Sequence, residues 1–398
     1  MAITVPSFAK INFGLRIGAL RADGFHELRT VYQTIALHDE ICVSVVRGSG
    51  IEIRCDDPRV PKDSSNTCYR MVDRAMQALK ARGRVIIEIE KRLPVQGGLG
   101  GASGNAVAAL LALELALGLK KKLSGPEKLR IAAEVGSDLP LFLIGGTVLG
   151  VGRGEEVYPL PDLPAVPCVI ATPEIAVSTP KAFADWDRLV PTLGCHSEPA
   201  SAGEEPAVLW SHNAAGEQQV PRLRSSFASE RPSSLGMTEF LNEEGGMTEV
   251  LSEAAVKGDS KLTPPAPSDR MIMCSREISA WLCAEPGNTR RRRSGVSTRG
   301  GGRAETLQLD LVRTGIENDF EQVVFPQYPE LLKVKRVLER SGAQYASLSG
   351  SGSAIYGLFA SREKASAAAQ KLNKAGVPAV ATTTLTRRQY WKRLQISD

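Results

Sequence analysis

PVQGGLGGASGNAVAALLALELAL, from Pro94 to Leu117, joins a glycine-rich turn to an unbroken run of small and aliphatic residues. The run from Asn105 to Leu117 is apolar on every side, which predicts a helix buried all round. The turn before it, Gln96 to Gly104, carries Gly97, Gly98, Gly100 and Gly101. Glycine reaches positive φ without strain and leaves backbone N–H groups uncovered. Those groups, with the free amides and dipole of a helix start, make a place for an anion, and a triphosphate fits it. Tight packing of the helix on a neighbour is the other reading of the same glycines. Two familiar phosphate loops are excluded. No Gly-Lys-Ser/Thr occurs in the chain, and the third glycine of the G-x-G-x-x-G fingerprint is missing. The HRD and DFG signatures of protein kinases are absent.

Upstream of this stretch, RVIIEIEKRL (84–93) reads as a strand. Asn66 to Arg82 reads as a helix, with Met71, Ala75, Met76 and Leu79 at helical spacing and Gly83 as its stop. Residues 1 to about 55 read as strands, rich in β-branched and aromatic positions. Downstream, Ser124 and Glu127 frame a capping box around Pro126, so a helix starts there and ends near Gly136. GGTVLGVG (145–152) and PCVIAT (167–172) read as strands and Thr179 to Leu189 as a short helix. From about Leu193 to about Glu305 the composition shifts to Ser, Gly, Glu and Pro with little apolar periodicity. This stretch contains GMTEFL (236–241) and GMTEVL (246–251), and four arginines, Arg290 to Arg293, among charges that nearly cancel. It predicts a long, largely disordered insertion. From Leu309 order returns as helices, then QYASLSGSGSAIYGLF (344–359) as strand, Gly/Ser turn and strand, then a helix and a final strand. That sequence of elements predicts an α+β sandwich, helices on one face of an antiparallel sheet.

Three further features hold chemistry. Ser347 to Ser353 is a second glycine turn, with Gly350 and Gly352, which fits a hairpin as well as a ligand loop. Asp138, in Gly136-Ser137-Asp138-Leu139-Pro140, stands at the expected end of a helix, where the dipole disfavours a carboxylate. It is either a turn residue or a base that accepts a hydroxyl proton. Lys10 interrupts the apolar strand Phe8 to Leu15. It points to solvent, or inward to an anion such as Asp138 or a phosphate.

The chain has 398 residues, a length suited to two or three domains. Its net charge of +5 is too mild for a nucleic-acid binder. The seven cysteines form no CxxC pair, which argues against a zinc ribbon, and their odd number argues against a disulfide framework. MAITVPSFAKINFGL reads as a strand rather than a leader, and no apolar run reaches 18 residues. A reduced, cytoplasmic protein without membrane or nucleic-acid partners is expected.

AKINFGL (9–15), the Pro94 to Ala109 loop, GSDLPLF (136–142) and SGSGSAIYGLF (349–359) resemble, in order, the motifs of the GHMP kinase family. RADGFHEL (21–28) resembles the R-x-D-G-Y-H-E-L segment of one branch. That branch phosphorylates the 2-hydroxyl of 4-diphosphocytidyl-2-C-methyl-D-erythritol in the non-mevalonate isoprenoid pathway. The resemblance covers roughly residues 1–192 and 306–386. It implies the α+β GHMP kinase fold: an N-terminal domain like domain 2 of ribosomal protein S5 (1–165) and a ferredoxin-like C-terminal domain (166–192 and 306–398), interrupted by the insertion (193–305). It implies ATP and Mg²⁺, with no confident protein ligand for the metal, and leaves a homodimer open. ATP would lie on Pro94, Gly97, Gly98, Leu99, Gly100, Gly101, Ala102, Ser103, Gly104 and Asn105. Asp138 would be the general base and Lys10 its partner. Asn12 and Thr179 would touch the methylerythritol end. His26 would hydrogen-bond the cytosine, Phe25 and Phe183 would stack on it, and Gly350 and Gly352 would close the site. Gly104, where the family usually has Ser or Thr, would remove one hydroxyl contact, and Phe25 replaces the usual Tyr. The rival readings are a homoserine- or mevalonate-type GHMP kinase and a non-catalytic nucleotide-binding protein.

Overall fold

The computed structural model describes residues 1–95, 97–119, 122–190 and 317–394. The insertion expected over 193–305, with its GMTE repeats and arginine run, lies outside the described residues. β1 (Ala2–Leu20) and β2 (His26–Val46) form one long antiparallel ribbon. RADGF is its tip: Gly24 takes φ +81°, and the Asp23 carboxylate accepts from the Phe25 amide. On its other edge β2 pairs with β4 (Arg84–Glu90) and with β5 (Thr147–Val151). β3 (Ile51–Arg54) joins β4 in parallel and β6 (Glu156–Pro159) joins β5, giving a six-stranded sheet.

Four helices cover this sheet: α1 (Thr67–Leu79), α2 (Gly101–Leu117), α3 (Gly125–Val135) and α4 (Leu139–Ile144). The Asn66 side chain caps α1 by accepting from the Cys68 amide, and Ser124 with Glu127 closes the expected capping box on α3. Strict alternation on β4 sends Val85, Ile87 and Ile89 inward against α1 and α2. α2 is buried from Gly104 through Glu114, as its composition requires. It starts at Gly101, earlier than the expected Asn105, because Gly100 at φ +68° turns the chain into the helix inside the glycine loop.

β7 (Pro167–Ala171), β8 (Tyr345–Leu348), β9 (Ile355–Leu358) and β10 (Ala379–Thr383) form an antiparallel sheet in the order β10-β7-β9-β8. Helices α5 (Thr179–Leu189), α6 (Glu321–Gln327), α7 (Pro329–Arg340) and α8 (Arg362–Lys374) supply its core, through Trp186, Val324, Leu331, Leu338 and Ala365. A third cluster ties the two sheets together: Ala9, Ile11, Phe13 and Val31 of the ribbon meet Cys168, Ile170, Tyr356 and Leu358. The Tyr356 hydroxyl donates to the Asn12 carbonyl at 2.8 Å, and the Arg16 guanidinium to Asp319 at 2.9 Å. One correction concerns α9 (Arg387–Leu394), expected within the C-terminal domain. It packs on the first layer instead, Tyr390 against Phe8 with its hydroxyl on the Phe142 carbonyl, and Trp391 donating to the Ile144 carbonyl.

Candidate active site

Lys10 and Asn12 leave β1 on the same face, two residues apart. The Lys10 ammonium is buried and donates to Asn12 Oδ1 at 2.7 Å and to the Gly98 carbonyl at 2.9 Å, and it stands 3.5 Å from Asp138 Oδ2. Of the two readings of Lys10, the inward one is therefore realised. Asn12 is held in turn: its amide donates to Thr30 Oγ1, and the Thr30 hydroxyl to the Gly14 carbonyl, both at 2.7 Å. Burial pushes the pKa of Lys10 below lysine's usual value, against the opposing pull of Asp138.

The placement of Asp138 corrects an expectation. α3 has already ended at Val135, and Asp138 directly precedes α4 rather than ending a helix. The dipole there favours a carboxylate. Its side chain makes no capping bond, and its backbone is αR rather than the extended form that caps use. The carboxylate points away from its own helix, toward Lys10 and the Tyr32 hydroxyl, which donates to Oδ1 at 3.1 Å.

The two glycine turns meet backbone to backbone. A Cβ on Gly98, at φ +75°, would lie 2.2 Å from the Ser349 carbonyl oxygen, and one on Gly352 would lie 2.4 Å from the Gly98 nitrogen. Ser349 Oγ donates to the Gly98 carbonyl and the Ala354 amide to the Gly97 carbonyl. Gly350, at φ +60°, lies beside the Lys10 ammonium. The outer wall of the first turn, Gly97 to Ser103 with Asn105, lines a cleft of about 340 Å³ that also carries Asn66, Cys68 and Lys91. Lys91 is paired with the buried Asp39, which also accepts from the Arg92 and Leu93 amides and so pins the chain just before the turn. Gly104 is turned away from this cleft. A Cβ there would sit 2.8 Å from the Phe8 carbonyl and 2.9 Å from Ser7 Oγ, so a side chain at 104 starts toward β1. A side chain at 104 would thus press on β1 at its first carbon rather than start along the cleft wall.

The expected acceptor residues divide. Thr179 Oγ1 lies 2.7 Å from Ser351 Oγ and links α5 to the second glycine turn. His26 is buried, its Nδ1 3.1 Å from the Gly18 carbonyl and its Nε2 3.1 Å from Asp187 Oδ1. The Phe183 ring stacks directly on it, centroids 5.2 Å apart and planes 6° apart. Phe25 takes no part in that stack: it is 52% exposed and lies under the Arg153 guanidinium at 5.0 Å. Asn12 is buried, accepting from Lys10 through Oδ1 and donating to Thr30 through Nδ2. Tyr32, Thr30, Asp187 and Asp39 escaped the reading of the sequence. Each acts by a cross-strand or cross-element approach that spacing along the chain does not encode.

The family profile described as GHMP kinases N terminal domain matches residues 66–146, and that described as GHMP kinases C terminal matches residues 304–378. A protein of Solibacter usitatus named 4-diphosphocytidyl-2-C-methyl-D-erythritol kinase is 31% identical to the chain, over 97% of this chain and 91% of that one. This chain belongs to that kinase family. A protein of the same name from Acaryochloris marina is 29% identical over 94% of this chain and 92% of its own length. A crystal structure of 4-(cytidine 5'-diphospho)-2C-methyl-D-erythritol kinase superposes with a TM-score of 0.58 at 25% identity, covering 96% of this chain and 99% of that one. A homoserine kinase from Cytophaga hutchinsonii superposes with the same TM-score of 0.58 at 17% identity, over 97% of this chain and 95% of that one, which attests the fold alone. Like other GHMP kinases, this member of the 4-diphosphocytidyl-2-C-methyl-D-erythritol kinase family is an ATP-dependent small-molecule kinase with the GHMP fold.

Proposed function

We propose that the chain transfers the γ-phosphoryl of ATP to the 2-hydroxyl of 4-diphosphocytidyl-2-C-methyl-D-erythritol. One observation carries this reading: the Lys10 ammonium joins the base to the phosphate loop, 3.5 Å from Asp138 and 2.9 Å from the Gly98 carbonyl. A hydroxyl placed beside Asp138 is thereby brought next to a phosphate held on Gly97 to Ser103.

Phosphoryl transfer needs positioning and charge stabilisation more than covalent chemistry from the protein. Asp138 takes the hydroxyl proton. The freed oxygen bonds to the γ-phosphorus as the bond to the β-phosphate oxygen breaks, and ADP leaves with that electron pair. Lys10 pairs with Asp138 and faces the charge that builds on the transferring group. The glycine turn offers amides to the phosphates at the start of α2. Mg²⁺ binds largely through phosphate oxygens with one or two protein oxygens. Ser103, on the cleft wall, and the partly exposed Asp138 carboxylate are donors of that kind. Bound there, the cation would neutralise phosphate charge.

On the acceptor side, His26 and Phe183 offer a polar edge and an aromatic face for a pyrimidine, entered by parting or sliding their stack. Asp187 orients the His26 ring. Both substrates are polyanions in solution, which fits a cytoplasmic enzyme. ATP consumption with this acceptor and Mg²⁺, measured beside Asp138→Asn, tests the proposal. Turnover is expected, falling by at least about 10²-fold in the variant. Turnover of homoserine or mevalonate without a cytidine requirement would sink the acceptor assignment.

A further inference from the structure

Tyr32 sits on β2 opposite Asn12 and is 2% exposed. A buried phenol seeks a partner, and a backbone carbonyl serves most of them. Here the partner is Asp138 Oδ1, at 3.1 Å. The ring also lies beneath the Lys10 ammonium, 5.7 Å from its centroid. One side chain thus meets both members of the proposed catalytic pair.

The fold provides a dedicated slot for this ring. A Cβ on Gly150 would stand 2.4 Å from Tyr32 Cε2, and one on Gly154 would stand 2.5 Å from the Tyr32 hydroxyl. Glycines in β5 and in the turn after it therefore leave the space that the tyrosine fills. Burial and the neighbouring Asp138 raise the phenol's pKa well above its usual value, so it remains a donor throughout the working range.

Asp138 needs such a donor. Its carboxylate is one-third exposed and makes no bond to its own helix. Rotation about a terminal carboxylate torsion is broad and roughly two-fold. We propose that Tyr32 is a positioning residue: its hydroxyl fixes one oxygen of Asp138, so that the other stays beside Lys10 and faces the acceptor. This rests on Asp138 being the base, as proposed above.

Tyr32→Phe keeps the ring, its slot and its contact with Lys10, and removes only the hydroxyl. The expected result is a kcat lower by about 10- to 100-fold, the scale of one hydrogen bond to a charged group, with KM for ATP within about twofold of the parent. If the hydroxyl acts through Asp138, adding Tyr32→Phe to Asp138→Asn lowers kcat no further. A merely structural tyrosine would lower both backgrounds alike, and that result would overturn the proposal, as would a kcat within about twofold of the parent. Should Tyr32→Phe fail to fold, Gly150→Ala, whose methyl presses on the ring, carries the same expectation, and an unchanged kcat there counts against the idea. The ratios are read twice, with the acceptor and in slow ATP hydrolysis where water is the acceptor. A parent enzyme that ignores the acceptor sinks the acceptor assignment, while the hydrolysis ratio still decides Tyr32.

Discussion

Lys10 has three polar partners, and each makes its own demand on it. Asn12 and the Gly98 carbonyl orient the ammonium, and Asp138 keeps it charged in a place where burial favours the neutral amine. Because its pKa is lowered, Lys10 loses its proton at a lower pH than the 10.5 of an unburied lysine. The alkaline limb of kcat is therefore expected to begin below that value. A profile flat up to ordinary lysine titration would contradict the role given to this residue. Asn12→Leu removes the 2.7 Å acceptor and leaves Thr30 without its donor. A fall in kcat of roughly tenfold, with ATP affinity retained, is expected from the loss of one hydrogen bond to a charged group. Steady-state kinetics beside ATP titration separates the two effects. The face that Lys10 and Asn12 share was legible from strand alternation. Tyr32 was not. The ribbon register slips at Phe8/Ala9, Asn12/Gly14 and Ile17/Leu20, so counting back from the RADGF tip does not give the residue opposite Asn12.

Among the elements, the glycine turns act as a pair. Gly352→Ala brings a methyl to within 2.4 Å of the Gly98 nitrogen, against backbone that has nowhere to move. Destabilisation of about 1–3 kcal/mol is expected from such overpacking, with ATP affinity weakened because the first turn is displaced. Thermal melts and ATP titration check this, and a neutral outcome in both would mean that the two turns are not in register in solution. Capped helices were legible: Asn66 and Ser124 each mark a start that the structure keeps. The true start of α2 was not, since glycine carries no capping side chain and a helix buried on all sides offers no polar face to mark its first turn. α4 escaped because six residues are too few for a period, and because Asp138 read as an end rather than a beginning. β6 is four residues long and mostly at the surface, so no alternation marks it.

At the scale of the whole molecule, the two sheets share the cluster around Phe13, Ile170 and Tyr356. The parts of the site are therefore fixed relative to one another by apolar contact rather than by a hinge. Every described residue of the site lies at or before Asp187, or at or after Ser349. Removal of residues 197–303 is accordingly expected to leave a folded enzyme with kcat and both KM values within a few-fold of the parent. A folded but inactive product, by circular dichroism and turnover, would assign that stretch a part in the acceptor pocket. The two sheets were legible from composition and element order, yet α9 crosses from the second to the first, because Tyr390 and Trp391 anchor it there in an octet whose period is too short to read.

That crossing has a bearing on how the protein is made. Tyr390 closes onto Phe142, a residue 248 positions earlier in the chain. During synthesis the first layer emerges with the seat for this aromatic pair uncovered, and at about 5–20 residues per second it waits many seconds for them. The layer that holds Lys10, Asp138 and the first glycine turn is thus completed only after α9 has left the ribosome, so a nascent chain stopped short of α9 would leave uncovered the apolar surface on which Tyr390 and Trp391 pack.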